Sequence, residues 1–173
     1  MAGDPGQELV DILDEAGRVI GQATRRVMRT YRLPHRCCYL LVFNDRGEIL
    51  VHQRTATKDV FPSYWDVCVG GVPAAGESFA QSARREGHEE LGVPIEPTFL
   101  FSVRYSDAAT VVFGEVFRVI HNGPFAFQPE EVTQGRFVTL AALQAGIQSG
   151  EFSPICPDGW MVWQQFQSGN WGA

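Results

Sequence analysis

Residues 70–93 read GGVPAAGESFAQSARREGHEELGV, and no other stretch of this chain restricts its fold as tightly. The run from Phe79 to Leu91 carries helix punctuation at both ends. Ser78 precedes it and Gln81 follows three residues later, a capping box in which each side chain accepts the other's backbone N–H. Gly92 stands where a left-handed glycine ends a helix. At about 100° per residue, Phe79, Ala80, Ala83, Gly87 and Leu91 share one arc, the expected buried stripe. Glu86, Glu89 and Glu90 span the adjoining arc, with Glu90 overlapping the edge of the stripe. Like charges so close repel one another, and burial raises the cost of ionising them. A hard divalent cation with oxygen ligands removes both costs, and magnesium binds through one or two carboxylates plus substrate phosphates. A solvated acidic helix face is the plain alternative.

The flanking residues decide between the two. Gly71, five residues, Glu77, seven residues, Arg85-Glu86, then Glu89-Glu90, one residue, Gly92 resembles the Nudix box, G-x5-E-x7-R-E-U-x-E-E-x-G-U with U a bulky aliphatic. Every specified identity is present, and Val93 fills the last U. At background residue usage, chance gives this about once in 10⁸ starting points. The resemblance implies an α/β (α+β) fold, an α/β/α sandwich with a mixed central sheet and a loop-helix-loop. It implies that Glu86, Glu89 and Glu90 bind Mg2+ or Mn2+, with a backbone carbonyl at Gly70 or Gly71 adding a ligand. It implies that Arg85 and Glu77 pair to hold the loop on the helix. One position departs: Gly87 stands where U is expected. Glycine costs about 1 kcal/mol against alanine inside a helix, so its place on the stripe predicts close packing against a strand or a bulky neighbour.

At 173 residues the chain can bury a core without disulfides or metal staples. A net charge of −6 argues against nucleic-acid polymers and anionic membranes as partners, since both call for a basic face. It leaves room for a small polyanion, because a metal ion can invert the charge of one pocket. Cys37, Cys38, Cys68 and Cys156 lack zinc-finger spacing and read as small buried hydrophobes in a reducing compartment. The start, MAGDPGQELV, has neither a basic nor an apolar leader region, and CCYLLVF is too short to span a bilayer. A cytoplasmic protein is expected.

Residues 1–7 read as a loose tail and 8–173 as a single Nudix domain. LVDIL alternates as a strand, with a hairpin turn at Asp14–Gly17. TRRVMRTYRL reads as a short helix ending at Pro34. NDRG separates the strands CCYLLVF and EILVHQR. FLFSVRYS and TVVFGEVFRVI form strands joined by DAA, GRFVTL (135–140) is another strand, AALQAG a short helix and 159–166 a closing helix.

The pieces HR (35, 36), VHQRTATKDVFPSYWD (51–66) and EEVTQGRFVTLAAL (130–143) resemble the Nudix branch related to isopentenyl diphosphate isomerase. That enzyme's catalytic cysteine falls at Gly70 here, and a metal-binding histidine falls at Val72. With no thiol acid/base and all box glutamates intact, the resemblance implies hydrolysis rather than isomerisation. The expected reaction is cleavage of a small-molecule diphosphate, a nucleoside di- or triphosphate on family frequency, by metal-activated water attacking phosphorus. Glu86, Glu131 or its neighbour Glu130 is the candidate base. Arg54 and Lys58, spaced as the isomerase branch spaces its diphosphate-binding pair, would contact phosphate. Phe61 and Tyr64 could stack on a base or line an apolar pocket. A non-nucleotide prenyl or sugar diphosphate, isomerase-type chemistry and a non-catalytic binding module are the alternatives.

Overall fold

Apolar on both faces, CCYLLVF belongs at the centre of a sheet covered on both sides. In the computed structural model, which describes residues 4–169 and 171, it lies within β3 (His35–Phe43). Ahead of it, β1 (Leu9–Leu13) and β2 (Val19–Thr24) form an antiparallel hairpin turning through Gly17 at φ 77°. Thr24 then caps α1 (Arg25–Thr30), accepting the Val27 N–H. β3 leads through the NDRG turn into β4 (Ile49–Arg54), and a long loop follows to the two-residue β5 (Trp65–Asp66). α2 spans Phe79–Leu91, with both halves of the Ser78/Gln81 box formed and Gly92 left-handed at φ 68°. The hairpin β6 (Thr98–Ser106) and β7 (Val111–Ile120), then β8 (Val132–Val138), α3 (Leu140–Ser149) and α4 (Pro157–Ser168), complete the chain.

The eight strands make one mixed sheet. β7 runs parallel to β3 along its whole length, while β8 pairs antiparallel with β4. β3 and β4 meet at Phe43 and Ile49 and then part. Residues 65–71 enter the opening: β5 pairs with β4, Val69 bridges Leu40, and Gly71 accepts the Cys38 N–H at 2.8 Å. The box therefore begins where the strands separate.

Alternation along β3 feeds both layers. Tyr39, Leu41 and Phe43 join Trp65, Phe152, Val162 and Trp163 beneath α3 and α4. Cys38, Leu40 and Val42 join Val69, Ala83, Leu91 and Ile95 beneath α2. A small third cluster packs Met28 of α1 against Val10, Ile12 and Val72. Gly87 shows why glycine is required: a Cβ there would stand 2.1 Å from Ile95 Cδ1 and 3.2 Å from Leu40 Cδ1.

Some expectations change. Within the supposed tail, Pro5–Gln7 form a 3-10 turn capped by Asp4, which is also ion-paired with Arg26; residues 1–3 lie outside the described residues. β8 starts before Gly135 because its outward residues are polar on a strand paired only with β4. α3 runs on to the left-handed Gly150. The buried stripe of α2 is rotated toward the glutamates: Ser82, Glu86 and Glu90 are buried, while Phe79 and Ala80 are only half-buried. No helix among the described residues is long and apolar enough to cross a membrane. All four cysteines are free thiols.

Candidate active site

The loop before α2 is clipped to the β1 edge and to the helix. Ala75 N–H donates to the Leu9 carbonyl at 2.8 Å, and Gly76 N–H to Asp11 Oδ2 at 3.1 Å. Glu77 accepts the Ala74 N–H at 2.9 Å and a forked pair from Arg85, Nε at 3.0 Å and Nη2 at 2.8 Å. Such forks are the stronger kind of charged hydrogen bond. Burial pushes Glu77 up, but the Arg85 and Ala74 bonds outweigh it and hold the carboxyl below its usual range. The free Nη1 of Arg85 reaches Glu86 Oε1 at 2.9 Å and Glu89 Oε2 at 3.2 Å. One guanidinium thus organises three of the box carboxylates.

The three glutamates of the expected ligand set are not equivalent. Glu86 and Glu90, one turn apart, are 8 % and 5 % exposed, whereas the Glu89 side chain is 49 % exposed. Burial raises Glu86, with Arg85 and Arg25 opposing. Burial raises Glu90 to about 8; Lys58 opposes it, and Glu86 and Glu131 add to it. Gly71 passes so close that a Cβ there would lie 2.7 Å from Glu86 Cδ. Its carbonyl, engaged by Cys38 N–H, keeps a second lone pair. Among the described residues no three His, Cys, Asp or Glu side chains already converge as a metal array; Glu89 turns to Arg85, and Glu131 to Lys58.

Beside the box lies a cavity of about 300 Å³ that takes in Gly70, Gly71, Arg54, Lys58, Phe61, Glu130 and Glu131. Glu77, Arg85, Glu86, Glu89 and Glu90 are not part of its lining; Arg85 and Glu89 border a second depression with Glu8, Gln22 and Ala75. Arg54 Nη2 donates to the Val60 carbonyl at 3.0 Å, and Lys58 is ion-paired with Glu131. Phe61 lines the cavity; Tyr64 stands outside its lining, packed on Phe61 at 5.5 Å between ring centroids. Trp65 is buried in the core. Gly70 sits at φ 142°, and a Cβ there would strike the Cys38 carbonyl oxygen at 2.1 Å. This backbone has no room for a thiol at position 70. Cys68 is buried at the cavity wall, and burial pushes its thiol far above the ordinary range.

Several cavity residues carry no signal in the box. Arg25 and Arg29 enter from α1, His35 and Tyr39 from β3, Asp66 from β5 and Asp158 from α4. Burial, and then Asp158, raise Asp66, which accepts the Cys68 N–H at 2.9 Å. Asp158 accepts the Tyr39 hydroxyl at 3.0 Å and is likewise raised by burial. The arginine-rich TRRVMRT was the available clue to α1, but its partners lie far away in the chain.

Comparison with known proteins agrees with this architecture. The NUDIX domain family model matches residues 33–156. The chain is 38 % identical over 164 residues to the uncharacterized Nudix hydrolase YfcD of Escherichia coli K12, covering 94 % of this chain and 90 % of that protein. It is 41 % identical over 150 residues to an uncharacterized Nudix hydrolase of Streptomyces coelicolor, covering 85 % and 83 %. Its fold is similar to the crystal structure of DR0079 from Deinococcus radiodurans, with a TM-score of 0.68, 27 % identity and coverage of 83 % and 90 %. It is also similar in fold to the NUDIX domain of Shewanella oneidensis NrtR, solved with ADP ribose, with a TM-score of 0.56, 16 % identity and coverage of 76 % and 85 %.

Proposed function

The chain belongs to the Nudix family, and from that premise we propose that it hydrolyses a diphosphate linkage with a divalent cation, Mg2+ or Mn2+, held at α2. The observation that carries this reading is the placement of two buried carboxylates, Glu86 and Glu90, one turn apart beside Gly71. They fit a hard cation by chemistry: both are oxygen donors, and burial disfavours two adjacent negative charges without a neutralising partner. Glu89 and the Gly71 carbonyl would complete the protein's share of the ligands. When bound, the ion neutralises the diphosphate and acidifies water.

The protein's own groups do the rest. Arg85 orients Glu86 and Glu89 through its anchor on Glu77. Arg54 and Lys58 supply positive charge for the phosphates. Glu86 is our assignment for the group that takes the proton from attacking water, because it stands against Gly71 beside the proposed ion, whereas Glu130 is exposed. We take nucleoside di- and triphosphates as the first substrate class. The polar groups of the lining, Tyr39, Asp66 and Asp158, support this choice, although Val60, Phe61, Val69 and Val112 share the wall.

The test is phosphate release from nucleotides, nucleotide sugars, dinucleoside polyphosphates and prenyl diphosphates, each with Mg2+, Mn2+ or chelator. Metal-dependent turnover of at least one compound, lost in Glu90→Gln, is expected. No turnover of any compound by the wild type overturns the reading.

A further inference from the structure

β1, β2 and α1 precede the family-matched residues 33–156, yet the loop that opens the box is held from β1. The Leu9 carbonyl takes the Ala75 N–H at 2.8 Å, and Asp11 Oδ2 takes the Gly76 N–H at 3.1 Å. Gly76, left-handed at φ 76°, makes the turn that leads into Glu77. Asp11 stands in the middle of the strand LVDIL and is only 5 % exposed. An apolar residue is the ordinary occupant of such a position.

The partner of Asp11 comes from β3. Arg36 Nη1 stands 3.4 Å from Asp11 Oδ2 and donates to the Glu77 carbonyl at 3.3 Å. Its guanidinium lies over the Phe79 ring, 5.5 Å from the centroid, at the start of α2. Gln22 of β2 donates to the other carboxylate oxygen of Asp11 at 3.2 Å. The pair thus grips residues 76 and 77 by one N–H and one carbonyl. A buried ion pair adds little net stability over apolar packing of similar volume. What this one adds is direction, an anion for an N–H and a cation for a carbonyl, on the backbone that carries Glu77.

We propose that Asp11 and Arg36, both outside the box, are positioning residues for the carboxylates of α2. They fix the backbone at Gly76 and Glu77, the Glu77 carboxylate takes the Arg85 fork, and Arg85 Nη1 bonds Glu86 and Glu89. Hydrogen-bonded partners behind a ligand set its orientation and with it the metal affinity. Small displacements of reacting groups cost rate. The N-terminal hairpin is thereby part of the active-site framework. The effects on metal and turnover rest on the hydrolase reading; the hold on Arg85 does not.

Two readouts besides turnover test the pair: Mn2+ affinity by electron paramagnetic resonance, and exchange of the Arg85 Nε–H in chelator by nuclear magnetic resonance. Arg36→Gln and Asp11→Asn should each weaken Mn2+ binding about 10- to 100-fold and lower kcat more than they change KM. Both should speed Arg85 Nε–H exchange about tenfold, and Arg36→Lys should restore part of each loss. Val10→Ala, which loosens the same hairpin from Met28, should lower stability and leave these readouts unchanged in the folded protein. In a Glu77→Gln background, Arg36→Gln should add almost nothing, since both act along one path. Wild-type values in folded Arg36→Gln and Asp11→Asn, an equal loss in Val10→Ala, or full additivity with Glu77→Gln overturns the proposal. If Arg36→Gln does not fold, wild-type values in both Asp11→Asn and Arg36→Lys overturn it. Absent Mn2+ binding by the wild type would instead overturn the metal reading, and Arg85 Nε–H exchange in the variants then decides the positioning alone.

Discussion

The two faces of the sheet are covered by opposite means. Beneath α3 and α4 lies an aromatic layer, with Trp163 stacked on Phe166 at 5.6 Å and Trp65 edge-on to Phe152 at 5.0 Å. Beneath α2 the fully buried side chains are mostly aliphatic, with Phe117 among them and Phe79, Phe125, Phe127 and Phe137 only partly buried around them, and the helix inserts Glu86 and Glu90 at the border. Aromatic burial is the larger source of stability, whereas buried carboxylates oppose folding unless something neutralises them. One face is held by aromatic packing, and the other carries a charge cost that Arg85 and Lys58 offset only in part. Chemistry is expected where that cost is carried.

The largest effect should come from breaking the α2 side. Glu86→Gln is expected to lower kcat by about 10²- to 10⁴-fold while leaving the metal-free melting temperature unchanged or higher, because it removes a buried charge. Steady-state kinetics with thermal unfolding in chelator checks both halves. The mirror experiment is Trp163→Ala, which should cost about 3–5 kcal/mol of stability and spare turnover per folded molecule. Urea unfolding compared with active-site-normalised rates would show it. Loss of catalysis without loss of stability in Trp163→Ala would dissolve the contrast.

A third prediction uses pH. The pKa of His35 falls from 6.5 to about 4 on folding, so the unfolded chain takes up the proton first. Its contribution to stability is full above pH 6.5 and is lost as pH falls toward 4. Raised carboxylates such as Asp66 act in the opposite sense, so the difference from His35→Gln isolates the histidine. Relative to that variant, wild type should lose about 3 kcal/mol across this window, measured by urea unfolding at several pH values. The smallest effect is at Gly87. In Gly87→Ala the gain in helix propensity competes with the clash on Ile95 Cδ1, for a net loss of about 1 kcal/mol. Ile95→Val removes the clashing atom, so the double variant should recover that loss.

How far these contrasts could be read from residues alone depends on sequence distance. α2 matched its expected ends because its signals are local: Ser78, Gln81 and Gly92 sit at the termini they specify. The hairpins at NDRG and at DAA were legible for the same reason. The burial of Glu86 was not, because it depends on Gly71 passing over the carboxylate, which helical periodicity does not encode. Arg25, Arg29, Asp66 and Asp158 were missed because they converge from α1, β5 and α4 only once the sheet has formed. The family pattern supplied the box, and tertiary structure supplied the cavity beside it.

The most direct test of the central claim, that Glu86 and Glu90 are cation ligands, is a Mn2+ titration followed by electron paramagnetic resonance. Wild type should bind Mn2+, and Glu90→Gln should weaken binding by at least about 10- to 100-fold, with turnover falling in step. Equal Mn2+ affinity in wild type and Glu90→Gln, with unchanged turnover, would contradict the account.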